Sequence, residues 1–227
     1  MLSPEEWEVV LLSLRVAFCC VLISLPPGIF MAWLLARVSF PGKLLLDGIC
    51  HLPLVLPPVV TGYLLLLLCG RRGALGGVLE DLGIRLAFNW KGAVLASAAV
   101  GFPLLLRAVR MGIEAVDPRL EQVARTLGAG PLRAFVTVTL RLATPGLLVG
   151  ALLSFARSLG EFGATITFVS NIPGQTRTVP SAIYTYLNQP GGESAAARLV
   201  VISIALSLAA LLASEGLARR SRQAWSP

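Results

Sequence analysis

Residues 9–36 read VVLLSLRVAFCCVLISLPPGIFMAWLLA, an apolar run whose only charge is Arg15. A helix needs about 20 largely apolar residues to cross the hydrocarbon core of a bilayer, and there its backbone must satisfy its own hydrogen bonds. The run therefore predicts a membrane-spanning helix. Four more stretches meet or approach that length, at 49–70, 90–106, 142–160 and 195–217, the third and fifth spans relying on small residues. Of the 227 residues 56% are hydrophobic and 14% charged, with a mean hydropathy of +0.79. Soluble globular chains carry about a quarter charged residues, so most of this chain is read as solvated by lipid. The expected fold is all-α: a polytopic transmembrane helical bundle with five spans, forming one membrane domain over 1–227. Neither an internal repeat nor a low-complexity segment is visible, and with them the inverted halves of many secondary transporters are missing.

The net charge of +7 does not point to nucleic acid, because the basic residues occupy short connecting segments and form no stripe interleaved with aromatics. They read instead as signals of orientation. Arg37, Lys43, Arg107, Arg110, Arg119, Arg125, Arg133, Arg141, Arg219, Arg220 and Arg222 fall on one side of the five spans, eleven in all. Seven fall on the other, Arg71, Arg72, Arg85, Lys91, Arg157, Arg177 and Arg198, beside the acidic Glu5, Glu6 and Glu8. The positive-inside rule then puts the N-terminus outside and the C-terminus in the cytoplasm. The opening MLSPEEWE is the reverse of a basic signal-peptide start, so the first apolar run is expected to stay in the mature protein. Cys19, Cys20, Cys50 and Cys69 lack the paired spacing of a zinc or redox site, and no cofactor or metal is expected.

Between the third and fourth spans, residues 117–135 read DPRLEQVARTLGAGPLRAF. Asp117 can cap a helix opened by Pro118, and Leu120, Val123, Ala124 and Leu127 recur on one face. Gly128 supplies a stop, and Gly130 with Pro131 starts a second helix carrying Leu132, Phe135 and Val136. Physically this is a helix, a sharp turn and another helix at the membrane surface, and an apolar face laid in lipid would have the same pattern.

The segment Gln122-Val-Ala-Arg-Thr-Leu-Gly128, followed by Val138-Thr139-Leu140, resembles the Glu-Ala-Ala loop of ABC importer permeases. The resemblance implies a coupling helix that docks into a cytoplasmic ABC ATPase through Glu121, Gln122, Ala124, Leu127, Gly128 and Gly130. A rigid helix seated in a partner turns closure of the nucleotide domains into movement of the attached spans. Two positions depart from the family pattern: Gln122 stands at the family's glutamate, and Arg141 where proline often ends the motif.

The second span contains His51-Leu-Pro-Leu-Val-Leu-Pro-Pro-Val-Val-Thr-Gly-Tyr-Leu64. Its three prolines remove backbone donors and kink the helix, which suits either close packing or a water-filled path. With Leu159-Gly-Glu-Phe-Gly-Ala-Thr165 and Thr178-Val-Pro-Ser-Ala-Ile-Tyr184, this stretch resembles the molybdate branch of the permease family more closely than the sulfate branch. That likeness implies a permease in the bacterial inner membrane, a homodimer with its path at the two-fold interface, a separate ATPase, and an extracytoplasmic molybdate-binding protein. Pathway candidates are Pro57, Pro58, Thr61, Ser154 and Ser158, since a hydroxyl can donate to an oxyanion without holding it tightly. Each hydroxyl could equally bond its own helix. Arg157 and Glu161, four residues apart, are expected to pair. His51 has no evident partner and reads as interfacial, and the loop 170–194 reads as a landing surface or a plain connection. No Gly-x-x-x-x-Gly-Lys loop is present, so ATP hydrolysis is expected on another chain. The rivals are a tungstate or sulfate permease, an ion-coupled secondary transporter, which would need intramembrane carboxylates, and a membrane scaffold.

Overall fold

Two consecutive prolines interrupt the chain where the second predicted span should continue. In the computed structural model, which describes residues 3–71 and 73–223, α2 (Lys43–Val55) ends at Leu56 and α3 (Pro58–Cys69) starts after Pro57. A residue before proline is pushed out of the helical region, and Leu56 and Pro57 both precede one. Both are accordingly extended, with ψ of 144° and 132°. The two helices are bent by 114° at that break. The stretch 49–70 is therefore a sharply broken element and not the kinked span expected.

The first, third and fifth predicted spans are continuous helices. They are α1 (Pro4–Arg37), α5 (Trp90–Glu114) and α12 (Glu193–Gln223), each long and apolar enough to cross a membrane. Between α3 and α5 lies the short α4 (Gly76–Asp81). After α5 come α6 (Pro118–Thr126), α7 (Pro131–Ala134), a π-helical turn at Phe135–Thr139 and α8 (Leu140–Leu142). The helical run Pro131–Leu142 meets α9 (Thr144–Leu159) at 69°. The described residues thus hold three continuous candidate spans, or five if each bent pair is one crossing. Every regular element among them is helical, and the chain is a multi-pass membrane protein.

Helix ends explain where several charges sit. Because α5 runs on to Glu114, Arg107 and Arg110 belong to its last turns and not to the loop after it. Arg198 likewise lies inside α12. Arg72 and the side chains of Arg219, Arg220 and Arg222, which entered the charge count, lie outside the described residues.

The core is built along α5, which packs α1 on one side and α9 on the other. Toward the start of α1, Val16, Cys20, Ala93, Ala96 and Phe168 form one apolar cluster; toward its end, Ala32, Leu35, Leu105, Val109 and Ile113 form another. The segment 170–194, expected as loop, contains α11 (Val179–Leu187), started by a Thr178/Ser181 capping box. It seats against α1, where the Val179 amide donates to Ser13 Oγ at 2.8 Å. Before it, α10 (Gly163–Val169) lies on α3 so closely that a Cβ on Gly62 would stand 2.5 Å from the Ala164 carbonyl oxygen.

At the N-terminal end of the bundle, Ser3 and Glu6 close a capping box on α1. Glu6 is 1% exposed and also takes a bidentate fork from Arg198 of α12, with Nη2 to Oε1 at 2.7 Å and Nε to Oε2 at 3.3 Å. Hydrogen bonding from Arg198 holds the Glu6 carboxyl below its ordinary range, although burial opposes this. A depressed native pKa contributes stability that is present above the unfolded value and lost as pH falls through the folded one.

Two outcomes are expected from this packing. Gly62→Val should separate α3 from α10 and lower stability by about 1–3 kcal/mol, read as a fall in the melting temperature of the detergent-purified protein. Glu6→Gln should cost about 1.5–3 kcal/mol at neutral pH. Acidifying through and below the ordinary carboxylate range, about pH 4, should destabilise the parent protein more than this variant; equal acid sensitivity would remove Glu6 from the account.

Candidate functional site

The loop between α5 and α9 forms as its punctuation predicts. Asp117 Oδ1 accepts from the Arg119 amide at 2.9 Å, and Pro118 opens α6. At the other end Gly128 adopts a φ of +91°, a region that a residue with a Cβ rarely enters. The Ala129 amide then reaches back to the Ala124 carbonyl at 3.1 Å and closes the helix. Gly130, extended at ψ 162°, leads into Pro131, the first residue of α7.

None of the nine residues of α6 is buried. The apolar positions Leu120, Val123 and Leu127 stand in the open, Leu127 at 83% exposure, while Ala124 is half covered. A helix of this length holds such a face in water only at a cost, so the face is built to be covered. Gln122, Gly128 and Gly130 are exposed beside it. Glu121 behaves differently. Its carboxylate turns inward and accepts a hydrogen bond from the hydroxyl of Thr139, which is fully buried in the π-helical turn. Of the six coupling candidates, Glu121 thus joins α6 to the helix that follows.

Behind α6 a cavity of about 700 Å³ opens toward α1, lined by Trp33, Arg37, Gln122, Arg125, Leu132 and Phe135 among others. Arg37 fastens α1 to the end of α5, its Nη2 donating to the Val116 carbonyl at 2.6 Å and to the Ile113 carbonyl at 3.2 Å. These carbonyls belong to the unpaired end of a helix, where a cation is favourable. Arg37 and Thr139 carried no sequence signal for these contacts. Arg37 entered only as a topology charge, and Thr139 only as part of a motif.

The five pathway candidates do not line one open surface in the single chain. Pro57 is exposed and Pro58 half-buried at the break between α2 and α3. Thr61, Ser154 and Ser158 are buried, and neither Thr61 Oγ1 nor Ser158 Oγ has a hydrogen-bond partner. Ser154 Oγ lies 3.9 Å from the Cys20 thiol, near Gly101 of α5, so α1, α5 and α9 meet there through small side chains.

The expected pair forms: Arg157 Nη1 lies 2.7 Å from Glu161 Oε2. Glu161 Oε1 meanwhile accepts from the Ala164 amide at 2.8 Å, so this buried carboxylate is held between a cation and the start of α10. Arg15, the lone charge of the first span, lies over the Trp90 ring at 3.9 Å. His51, read as solitary, has a partner after all. Its Nδ1 hydrogen-bonds with the Asp47 main-chain carbonyl at 2.9 Å and lies 3.1 Å from Asp47 Oδ1, and Arg110 Nη1 reaches Asp47 Oδ2 at 2.9 Å. The spacing of Asp47 and His51, four apart on a helix, was the available signal.

Residues 24–223 match the family described as binding-protein-dependent transport system inner membrane component. The chain is 64% identical over 224 residues to the molybdenum transport system permease protein ModB of Escherichia coli (strain K12), covering 98% of each chain. It is 55% identical over 219 residues to the protein of the same name from Haemophilus influenzae, covering 96% of each. Its fold is similar to that of a chain in the crystal structure of a bacterial alginate ABC transporter, with a TM-score of 0.74 at 17% identity over 96% of this chain and 80% of that one. Broken spans, an exposed helix closed by a left-handed glycine, and a match over most of its length lead to one assignment: the chain belongs to the family of binding-protein-dependent transport system inner membrane components.

Proposed function

We propose that this chain is the permease subunit of a bacterial molybdate importer, acting as one transmembrane domain with residues 117–135 as its coupling loop. The observation that carries the importer reading is the unpartnered apolar face of α6, closed by Gly128 at positive φ. The cargo rests on the near full-length likeness to molybdenum permeases.

In this reading α6 lies on the cytoplasmic side of the inner membrane and seats Leu120, Val123 and Leu127 in a groove of a separate ABC ATPase. The positive-inside balance supports that orientation, with Arg119, Arg125, Arg133 and Arg141 at the α6 end and Glu5 and Glu8 at the other. Two copies pair around a central path, and an extracytoplasmic molybdate-binding protein delivers the oxyanion at the end that carries α11. ATP hydrolysis belongs to the partner. The permease converts closure of two ATPase subunits into movement of α5 and of the run Pro131–Leu142, which flank α6. Pro57 and Pro58, at an exposed break, are the retained pathway candidates. Thr61, Ser154 and Ser158 reach the path only if the helices part.

The test is ATP-driven uptake of molybdate into proteoliposomes that hold the permease and its ATPase with the binding protein supplied, and with tungstate and sulfate as competitors. Uptake should require all three components and resist excess sulfate. Uptake without the ATPase that collapses with the proton gradient would instead identify an ion-coupled transporter, and sulfate-sensitive uptake a sulfate permease.

Gly128→Val should strain the turn by about 1–3 kcal/mol and weaken ATPase co-purification roughly 5- to 100-fold, with membrane insertion intact. Unchanged co-purification and uptake would detach α6 from coupling.

A further inference from the structure

The junction between α5 and α2 holds a group of charges that neither the spans nor the docking surface accounts for. Among its 13 residues α2 has none that is buried, and Leu46 and Cys50 pack, partly buried, against the apolar cluster around Leu105 and Ile113. Its firm tie to the bundle is polar. Arg110, near the end of α5, gives Nη1 to Asp47 Oδ2 at 2.9 Å and Nε to Glu114 Oε1 at 2.8 Å. His51, whose Nδ1 hydrogen-bonds with the Asp47 main-chain carbonyl at 2.9 Å, stands 3.1 Å from the other carboxylate oxygen. Both Arg110 and Asp47 are about three-quarters covered, beside a cavity of about 370 Å³ that Arg107 also lines.

We propose that Asp47 and Arg110 are positioning residues that carry the movement of the coupling helix from α5 into the broken second span. This rests on the permease reading above. The geometry favours it in three ways. First, α5 runs through only Ala115, Val116 and Asp117 into α6, so a force on α6 acts first on the turn that holds Arg110 and Glu114. Arg37 fixes the same turn to α1. Second, Glu114 holds one edge of the guanidinium, so the bond to Asp47 has a set direction. Apolar contact alone would let one helix slide along the other, whereas a fork shared by two carboxylates fixes the register. Third, α2 continues across the break at Leu56 and Pro57 into α3, whose Gly62 seats on α10. A displacement of α2 is thereby delivered to the exposed Pro57. Removing either partner leaves Arg110 tied only to Glu114 of its own helix or Asp47 only beside His51 of its own, which frees α2 to slip while α5 still follows the ATPase.

The experiment measures molybdate uptake and ATP hydrolysis in the same proteoliposomes and reads their ratio. Transport by the parent complex is read first, since its failure would overturn the permease assignment itself and is visible before any variant is compared. With the parent active, Asp47→Asn and Arg110→Gln should each lower molybdate carried per ATP hydrolysed by roughly 3- to 10-fold. Co-purification with the ATPase and hydrolysis stimulated by the loaded binding protein should persist. Arg110→Lys, which keeps a cation facing Asp47, should restore most of the ratio. Arg107→Gln, in the same cavity but without an ion-pair partner among the described residues, should leave it unchanged. A parent-like ratio in Asp47→Asn overturns the proposal. So does loss of ATPase assembly in both Asp47→Asn and Arg110→Gln, which would make the pair a packing contact only.

Discussion

In hydrocarbon each amide and carbonyl that leaves a helix must find a partner or a sheltered place, and the architecture of this chain follows from where it meets that demand. The sequence Leu-Pro-Pro occurs twice, at 25–27 and 56–58. At the first site α1 continues unbroken; at the second the chain bends by 114°. Local chemistry is the same in both. The difference is packing: Leu25, Ile29 and Ala32 around the first pair belong to the cluster with Leu105 and Leu106, whereas nothing in α2 is buried. Tertiary contacts hold one proline pair straight and leave the other to its intrinsic preference.

The same demand governs the polar side chains. Glu6, Glu161 and Thr139 are all buried, and each is engaged by a helix end, an arginine or a carboxylate. Glu6 ties α1 to α12 and Glu121 ties α6 to the π-helical turn, while Arg157 and Glu161 close on one another where α9 ends; all lie toward helix ends where the main chain is already irregular. Between them the contacts are small and apolar, with Ser154 and Gly101 letting α9 approach α5. Irregular main chain and buried charge therefore collect in the same zones.

Much of this was legible beforehand because it depends on local rules. Asp117, Pro118, Gly128 and Pro131 each impose a backbone geometry regardless of context, so the loop could be read closely. Arg157 and Glu161 stand four residues apart and pair as that spacing suggests, although α9 ends between them at Leu159. Less legible were features set by contacts across the fold. The end of α5 was placed too early, since Arg107 and Arg110 resemble a loop until Asp47 and Glu114 are seen beside them. Helix α11 reads in sequence as a landing surface or a connection, because its polar flanks hide a core that exists only against α1 and α12. Thr61, Ser154 and Ser158 are buried in the single chain, and the chemistry of a hydroxyl does not tell a packed face from one that lines a cavity.

The bend at Leu56 and Pro57 also bears on how the protein is made. As it leaves the ribosome, the stretch 49–70 has the length and apolarity of an ordinary span, with only its own proline pair to interrupt it. The seat for Gly62 is Ala164, which emerges far later. The break and its seat are therefore acquired separately: the proline pair interrupts the helix as soon as it is made, and the surface that receives α3 exists only later. A segment delivered to the membrane already broken is thus given its final seat by the carboxy-terminal half.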